Sequence, residues 1–325
     1  MTGATDDASG VEPWAPDPAS SPDPDPGAEP AGFIVVAAGD VRLHFHDWGG
    51  PRADAGRARP GVLLLPGLLQ PAWSWAPVAR RLRGLAPTVV ADLRGQGLSD
   101  APMDGYDPGS LAGDAVAVAE GSGLLGDGPI VLAGHGFGAV VAAVAAADLG
   151  PRCAGVVLVD GGFERTEVVT DVDVDEFLRG LDEPPEVMRS MGAWLADRRG
   201  FDPATWDADQ ERVATDAVVE TAAGHVVRAV RPHVGEAMVR SMFDYDPLPV
   251  LAAIEAPVTA LIALGSADNG ARLAELRRCG GARAAAGHAP IRVAGYPGVG
   301  HNLMRYRPAE VTAAILDAVH GPPDL

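Results

Sequence analysis

The stretch VLAGHGFGAV, Val131 to Val140, reads as a strand that turns tightly and opens a helix. Such a turn directs backbone amides and the side chain at its tip toward one spot. The tip residue here is Gly136, which has no side chain to offer. Two chemistries suit a turn of this kind. GHGFGA fits G-x-G-x-x-A, and Asp160 follows Ala139 by 21 residues, the pattern of a dinucleotide loop with an acid for a ribose. The turn can instead offer amides to the oxygen of a reacting carbonyl, with a base supplied from elsewhere in the chain. Aspartates and histidines occur downstream, among them Asp160 closing VVLVD, Asp268 in LIALGSADNG and His301 in GVGHNLM. A histidine oriented by a carboxylate can take a proton or activate water.

Those residues are only useful if strands and helices bring them together, and the pattern supplies both. GDVRLHFHDWG alternates as a half-buried strand, and GVLLLPG is a continuous apolar strand ending at Gly67. WSWAPVARRL follows as a helix, TVVADLRGQGLSD as a strand running into a glycine turn, and a helix is expected near Ser110–Glu120. PIVLAG leads into the turn at Gly136; the helix GAVVAAVAAADLG and the strand AGVVLVD come after it. The alternation breaks at Phe163 and resumes near Pro257 with PVTALIALG. Helical segments such as EVMRSMGAWLADRRG fill the gap, as a lid inserted between two sheet strands would. IRVAGYPGVGH and a helix from Pro308 to His320 close the chain. Buried strands alternating with helices predict an α/β fold with a parallel sheet covered on both faces.

This order of elements resembles the capped, bacterial-type members of the α/β-hydrolase superfamily, from Gly32 to the C-terminus. Four local matches carry the resemblance: LLLPGLLQPAWSW, DLRGQGLSD, GHGFGA, and the pair formed by Asp268 and His301. It implies a mostly parallel, doubly wound sheet with an inserted helical cap: core 32–162 and 248–325, cap 163–247. It implies an oxyanion hole from the amides of Leu68 and Phe137, although Pro66 stands where the family has histidine. GHGFGA aligns with the G-x-S-x-G elbow, and Gly136 occupies the place of the serine nucleophile. Asp268 matches the family's acid, with Asp160 as the alternative acid, and His301 matches its histidine. Ser99, in the DLRGQGLSD turn, is expected to support the site rather than react. The dinucleotide reading leaves DLRGQGLSD, SADNG and GHN unexplained.

Composition bounds the partners. The 325 residues carry 44 acidic and 25 basic side chains, every base an arginine, for a net charge of −19. That field repels nucleic acid and anionic membranes, so a small-molecule ligand is expected. Residues 1–31 hold seven prolines, seven acids and no base, and predict a disordered tail. No leader-like segment or long apolar run is present, so a cytoplasmic location is expected. Cys153 and Cys279 are read as reduced structural thiols. DVDVDE in the cap lacks the spacing of a calcium loop, and neither metal nor cofactor is expected. Three functional readings stay open. The chain is an enzyme using a His301/Asp268 base on an ester, lactone or similar carbonyl compound; a non-catalytic ligand-binding or regulatory relative; or a serine hydrolase inactivated at position 136.

Overall fold

The computed structural model describes residues 10–24, 27, 29–54, 57–126, 128–265 and 269–321. Nine strands form the central sheet: β1 (Val11–Pro13), β2 (Ala31–Val36), β3 (Arg42–Gly49), β4 (Val62–Leu65), β5 (Thr88–Ala91), β6 (Ile130–His135), β7 (Cys153–Val159), β8 (Val258–Leu264) and β9 (Ile291–Pro297). Their order is β1-β9-β8-β7-β6-β4-β5-β3-β2. Among the described residues only β3 runs against its neighbours.

The apolar runs that predicted strands are fully buried because helices cover both faces. Alternate residues of β4 enter different cores. Leu63 and Leu65 pack with α2 (Pro108–Gly121) and α3 (Phe137–Leu149); Val62 and Leu64 pack with α1 (Ala76–Leu82) and α10 (Pro308–His320). α3 is alanine- and valine-rich on every side and is buried along almost its whole length, as a helix without a polar face must be.

Between β7 and β8 the chain leaves the sheet. Here lie α4 (Val174–Gly180), α5 (Met191–Phe201), α6 (Ala208–Asp216), α7 (Pro232–Asp244), α8 (Pro247–Ala253) and a short hairpin pairing Val218–Glu220 with Val226–Arg228. The inserted helical cap comprises these elements except α8, which packs against α3 in the core. It is fixed to the core by Asp209, which accepts from Trp73 Nε1 at 3.0 Å and pairs with Arg80, and by the Arg212 guanidinium, 3.4 Å from the centre of the Trp73 ring. The chain re-enters the sheet at β8, and α9 (Asn269–Ala285) stands between β8 and β9.

The N-terminal segment departs from the disorder expected of residues 1–31. Residues 1–9 lie outside the described part, but Val11–Pro13 pairs in parallel with Ile291–Val293, and Trp14 N donates to Val293 O at 2.8 Å. Arg292 stacks on the Trp14 ring, and Arg81 Nη1 donates to Pro22 O at 2.7 Å. Backbone pairing at a sheet edge asks for little apolar surface, so an acidic, proline-rich segment can order there. The sheet therefore begins at Val11, ahead of the boundary at 32.

Candidate active site

The site lies at the carboxyl ends of the strands, where ligands of open α/β sheets bind. β6 ends at His135, Gly136 sits at φ 52°, ψ −117°, and α3 begins at Phe137. Close packing dictates the flanking glycines. A Cβ on Gly134 would stand 2.1 Å from Gly138 O, and one on Gly138 would stand 2.3 Å from Pro66 O. Gly136 differs. A Cβ there would meet only His301, at 3.1 Å from Nε2. Residue 136 thus points its missing side chain at the imidazole.

His301 follows β9 and is open to solvent; its Nδ1 lies 2.6 Å from Asp160 Oδ2. A carboxylate can only accept, so Nδ1 carries the hydrogen and Nε2 is left with a free lone pair above Gly136. Asp160 follows directly on β7, beside β6, with φ 50°. Its Oδ1 accepts from the Ala263 amide at 2.8 Å and pairs with Arg272 Nη1 at 2.9 Å. Burial works to raise this carboxyl, but the His301 hydrogen bond, Arg272 and the Ala263 amide outweigh it, and it lies below its ordinary value. Arg272, in the first turn of α9, also grips Glu164 through Nε at 2.7 Å and Nη2 at 3.0 Å. Burial raises the Glu164 carboxyl against the pull of Arg272.

Asp268, the acid implied by the resemblance, lies outside the described residues. The carboxylate that the structure places on His301 is the alternative, Asp160. That engagement also removes the ribose contact that a dinucleotide loop would need, and the glycines of GHGFGA are taken up by backbone packing.

Leu68, Gly136, Phe137, Asp160 and His301 line one cavity of about 300 Å³. Among the described residues, the Leu68 and Phe137 amides have no hydrogen-bond acceptor, as an oxyanion site requires. The DLRGQGLSD turn buttresses this wall. Asp92 accepts from Ala72 N at 2.9 Å and Leu98 N at 3.1 Å, and Gln96 Nε2 donates to Gly67 O at 3.2 Å. Ser99 Oγ is spent between His44 N and Asp92 O.

Four residues of the site carried no individual assignment from sequence: Gln70, His135, Glu164 and Arg272. His135 is buried beside Gly136, 3.0 Å from both Gln70 Oε1 and His301 O. Burial, reinforced by the neighbouring His301, holds it at about 3, so the ring is neutral and donates to one of these oxygens. The position of His135 inside GHGFGA was a usable signal; Glu164 and Arg272 meet only through the fold. Cys153 and Cys279 are free and buried. Among the described residues, no cluster of His, Cys, Asp and Glu is arranged to hold a metal, and no helix is long and apolar enough to cross a membrane.

A parallel sheet whose strand breaks through a positive-φ residue into a buried helix, opposite a histidine after the last strand, defines the class of α/β hydrolases. A model of the alpha/beta hydrolase family matches residues 62–315, and the chain belongs to that family. The N-formylmaleamate deformylase of Pseudomonas putida is 38% identical over 126 residues, 38% of this chain and 43% of that enzyme; the match spans less than half of the curated relative. Among solved structures, E-2-(acetamidomethylene)succinate hydrolase aligns with a TM-score of 0.73 at 22% identity, covering 90% of this chain and 100% of that one. An N-formylmaleamic acid deformylase from Pseudomonas putida aligns with a TM-score of 0.64 at 21% identity, covering 87% and 100%.

Proposed function

We infer that this protein hydrolyses a small carbonyl compound by general-base catalysis, with His301 as the base, Asp160 holding it and water as the nucleophile. The observation that carries the reading is the line Asp160 Oδ2–His301 Nδ1, 2.6 Å, with Nε2 turned to the space a side chain at 136 would fill. A water in that space gives its proton to Nε2 as its oxygen attacks the carbonyl carbon. The negative charge collects on the carbonyl oxygen, at the Leu68 and Phe137 amides. His301 then returns the proton to the leaving group, and no covalent enzyme intermediate forms. The relatives named for deformylation and hydrolysis support water-dependent chemistry at a carbonyl.

The rate should be modest. Loss of the nucleophile from a serine hydrolase costs about 10⁶ in turnover, while oxyanion stabilisation and binding retain roughly 10³ over the uncatalysed reaction. Turnover of short aryl esters and formamides, followed in the unaltered chain and in His301→Ala, tests the reading. The expected loss in His301→Ala is about 100-fold, with no acyl adduct by intact mass. The lack of any nucleophile at 136 favours a second reading, in which the cavity binds a ligand without turning it over. Ligand-induced stabilisation with turnover that His301→Ala leaves unchanged would select it.

A further inference from the structure

The charge around the cavity restricts what can enter it. Leu68, Phe137, Val140, Phe177 and Met242 supply apolar wall, and the volume of about 300 Å³ takes roughly ten non-hydrogen atoms at the space a liquid-water molecule occupies. The threonine hydroxyls facing it are committed: Thr166 Oγ1 donates to Met242 O at 3.3 Å and Thr170 Oγ1 to Thr166 O at 2.8 Å. Asp160 and Glu164 both face the cavity, yet among the described residues no arginine lines it. Arg272, shared by the two carboxylates, is turned away into those ion pairs.

Two carboxylates on one guanidinium leave the wall negative when both are ionised and neutral when Glu164 is protonated. In neither state does an arginine face the ligand. His135 stays uncharged, and His301 must itself be unprotonated to act as base. An incoming carboxylate would lose its water shell with no cation to replace it, and would meet Glu164. A ketone, ester or amide oxygen is accommodated at the Leu68 and Phe137 amides without adding charge.

We propose that the cavity selects an uncharged carbonyl compound with a short apolar chain and rejects the carboxylate-bearing counterpart, with Glu164 as the residue that enforces the rejection. The proposal rests on the assignment of His301 and the two amides as the reacting site, and it is tested by binding rather than turnover. 5-Methyl-2-hexanone and levulinate have the same shape and differ in a terminal isopropyl group against a carboxylate. Each is titrated at pH 8 into the full chain, with the His301 imidazole resonances as the readout that localises binding. The ketone should bind about tenfold or more tightly than levulinate, and Glu164→Gln should narrow that ratio by at least about threefold. Levulinate binding as tightly as the ketone overturns the proposal, as does failure of the ketone to move the His301 signals. If Glu164→Gln does not fold, the ratio in the unaltered chain decides. Ketone selectivity in a protein that turns over no neutral ester upholds the selection and counts against hydrolysis; hydrolysis without selectivity does the reverse.

Discussion

Gly136 combines a φ of 52° with a Cβ direction aimed at His301 Nε2. A serine there would carry roughly 1–3 kcal/mol of backbone strain, yet would place its hydroxyl beside a base already held by Asp160. Gly136→Ser is therefore expected to raise aryl-ester turnover by at least about 100-fold, with a transient acyl adduct visible by mass, and the gain should vanish in Gly136→Ser/His301→Ala. His135 gives a second prediction at this scale. Its folded value near 3 is depressed, so below about pH 6.5 the unfolded chain binds a proton that the folded one does not. Stability should fall as the pH is lowered from about 6.5 to 3, with a slope from this residue of up to about 1.4 kcal/mol per unit. His135→Gln should remove that part of the slope in urea titrations. The choice of acid shows where residue-level reading stops. In the sequence Asp160 follows one apolar run directly and Asp268 stands a few residues past another, and that spacing does not put Asp160 on His301; its positive φ and its place beside the β6 turn do.

At the scale of elements, the hydrophobic patterns of β3 to β9 stand in the sequence because those strands are buried on one or both faces. α9 does not show itself there. Gly280 and Gly281 interrupt it, and four arginines, Arg272, Arg277, Arg278 and Arg283, break up any apolar run. Yet α9 delivers Arg272 to the acid pair. Removing that positive charge leaves Asp160 and Glu164 buried side by side without the cation they share. Arg272→Leu should lower kcat/KM by about tenfold or more, and Arg272→Lys should restore part of the loss. Unaltered kcat/KM with a lowered Tm would mark Arg272 as structural only.

Over the whole molecule, the cap, the core and the N-terminal segment meet around a few aromatic–arginine contacts. Trp73 receives Arg212 from the cap, and Glu29 pairs with both Arg80 and Arg212. β1 adds an edge strand chiefly by main-chain bonds, with Val11 and Trp14 as its few apolar anchors, which is why an acidic proline-rich sequence gave no sign of it. Deleting residues 1–24 should lower Tm by about 2–5 °C; a solvated tail would leave Tm unchanged. Among the described residues no arginine lines the cavity, and in the selection proposed above the net charge of −19 works in the same direction, disfavouring anionic ligands.

In the proposed mechanism Asp160 orients His301 as the base. That role is tested most directly by kcat/KM for one neutral ester in Asp160→Asn and Asp268→Asn, each in the unaltered chain and in Gly136→Ser. Asp160→Asn should lower it by about 10³-fold or more and Asp268→Asn by less than about threefold. A collapse in Asp268→Asn with Asp160→Asn near unaltered activity would contradict that role.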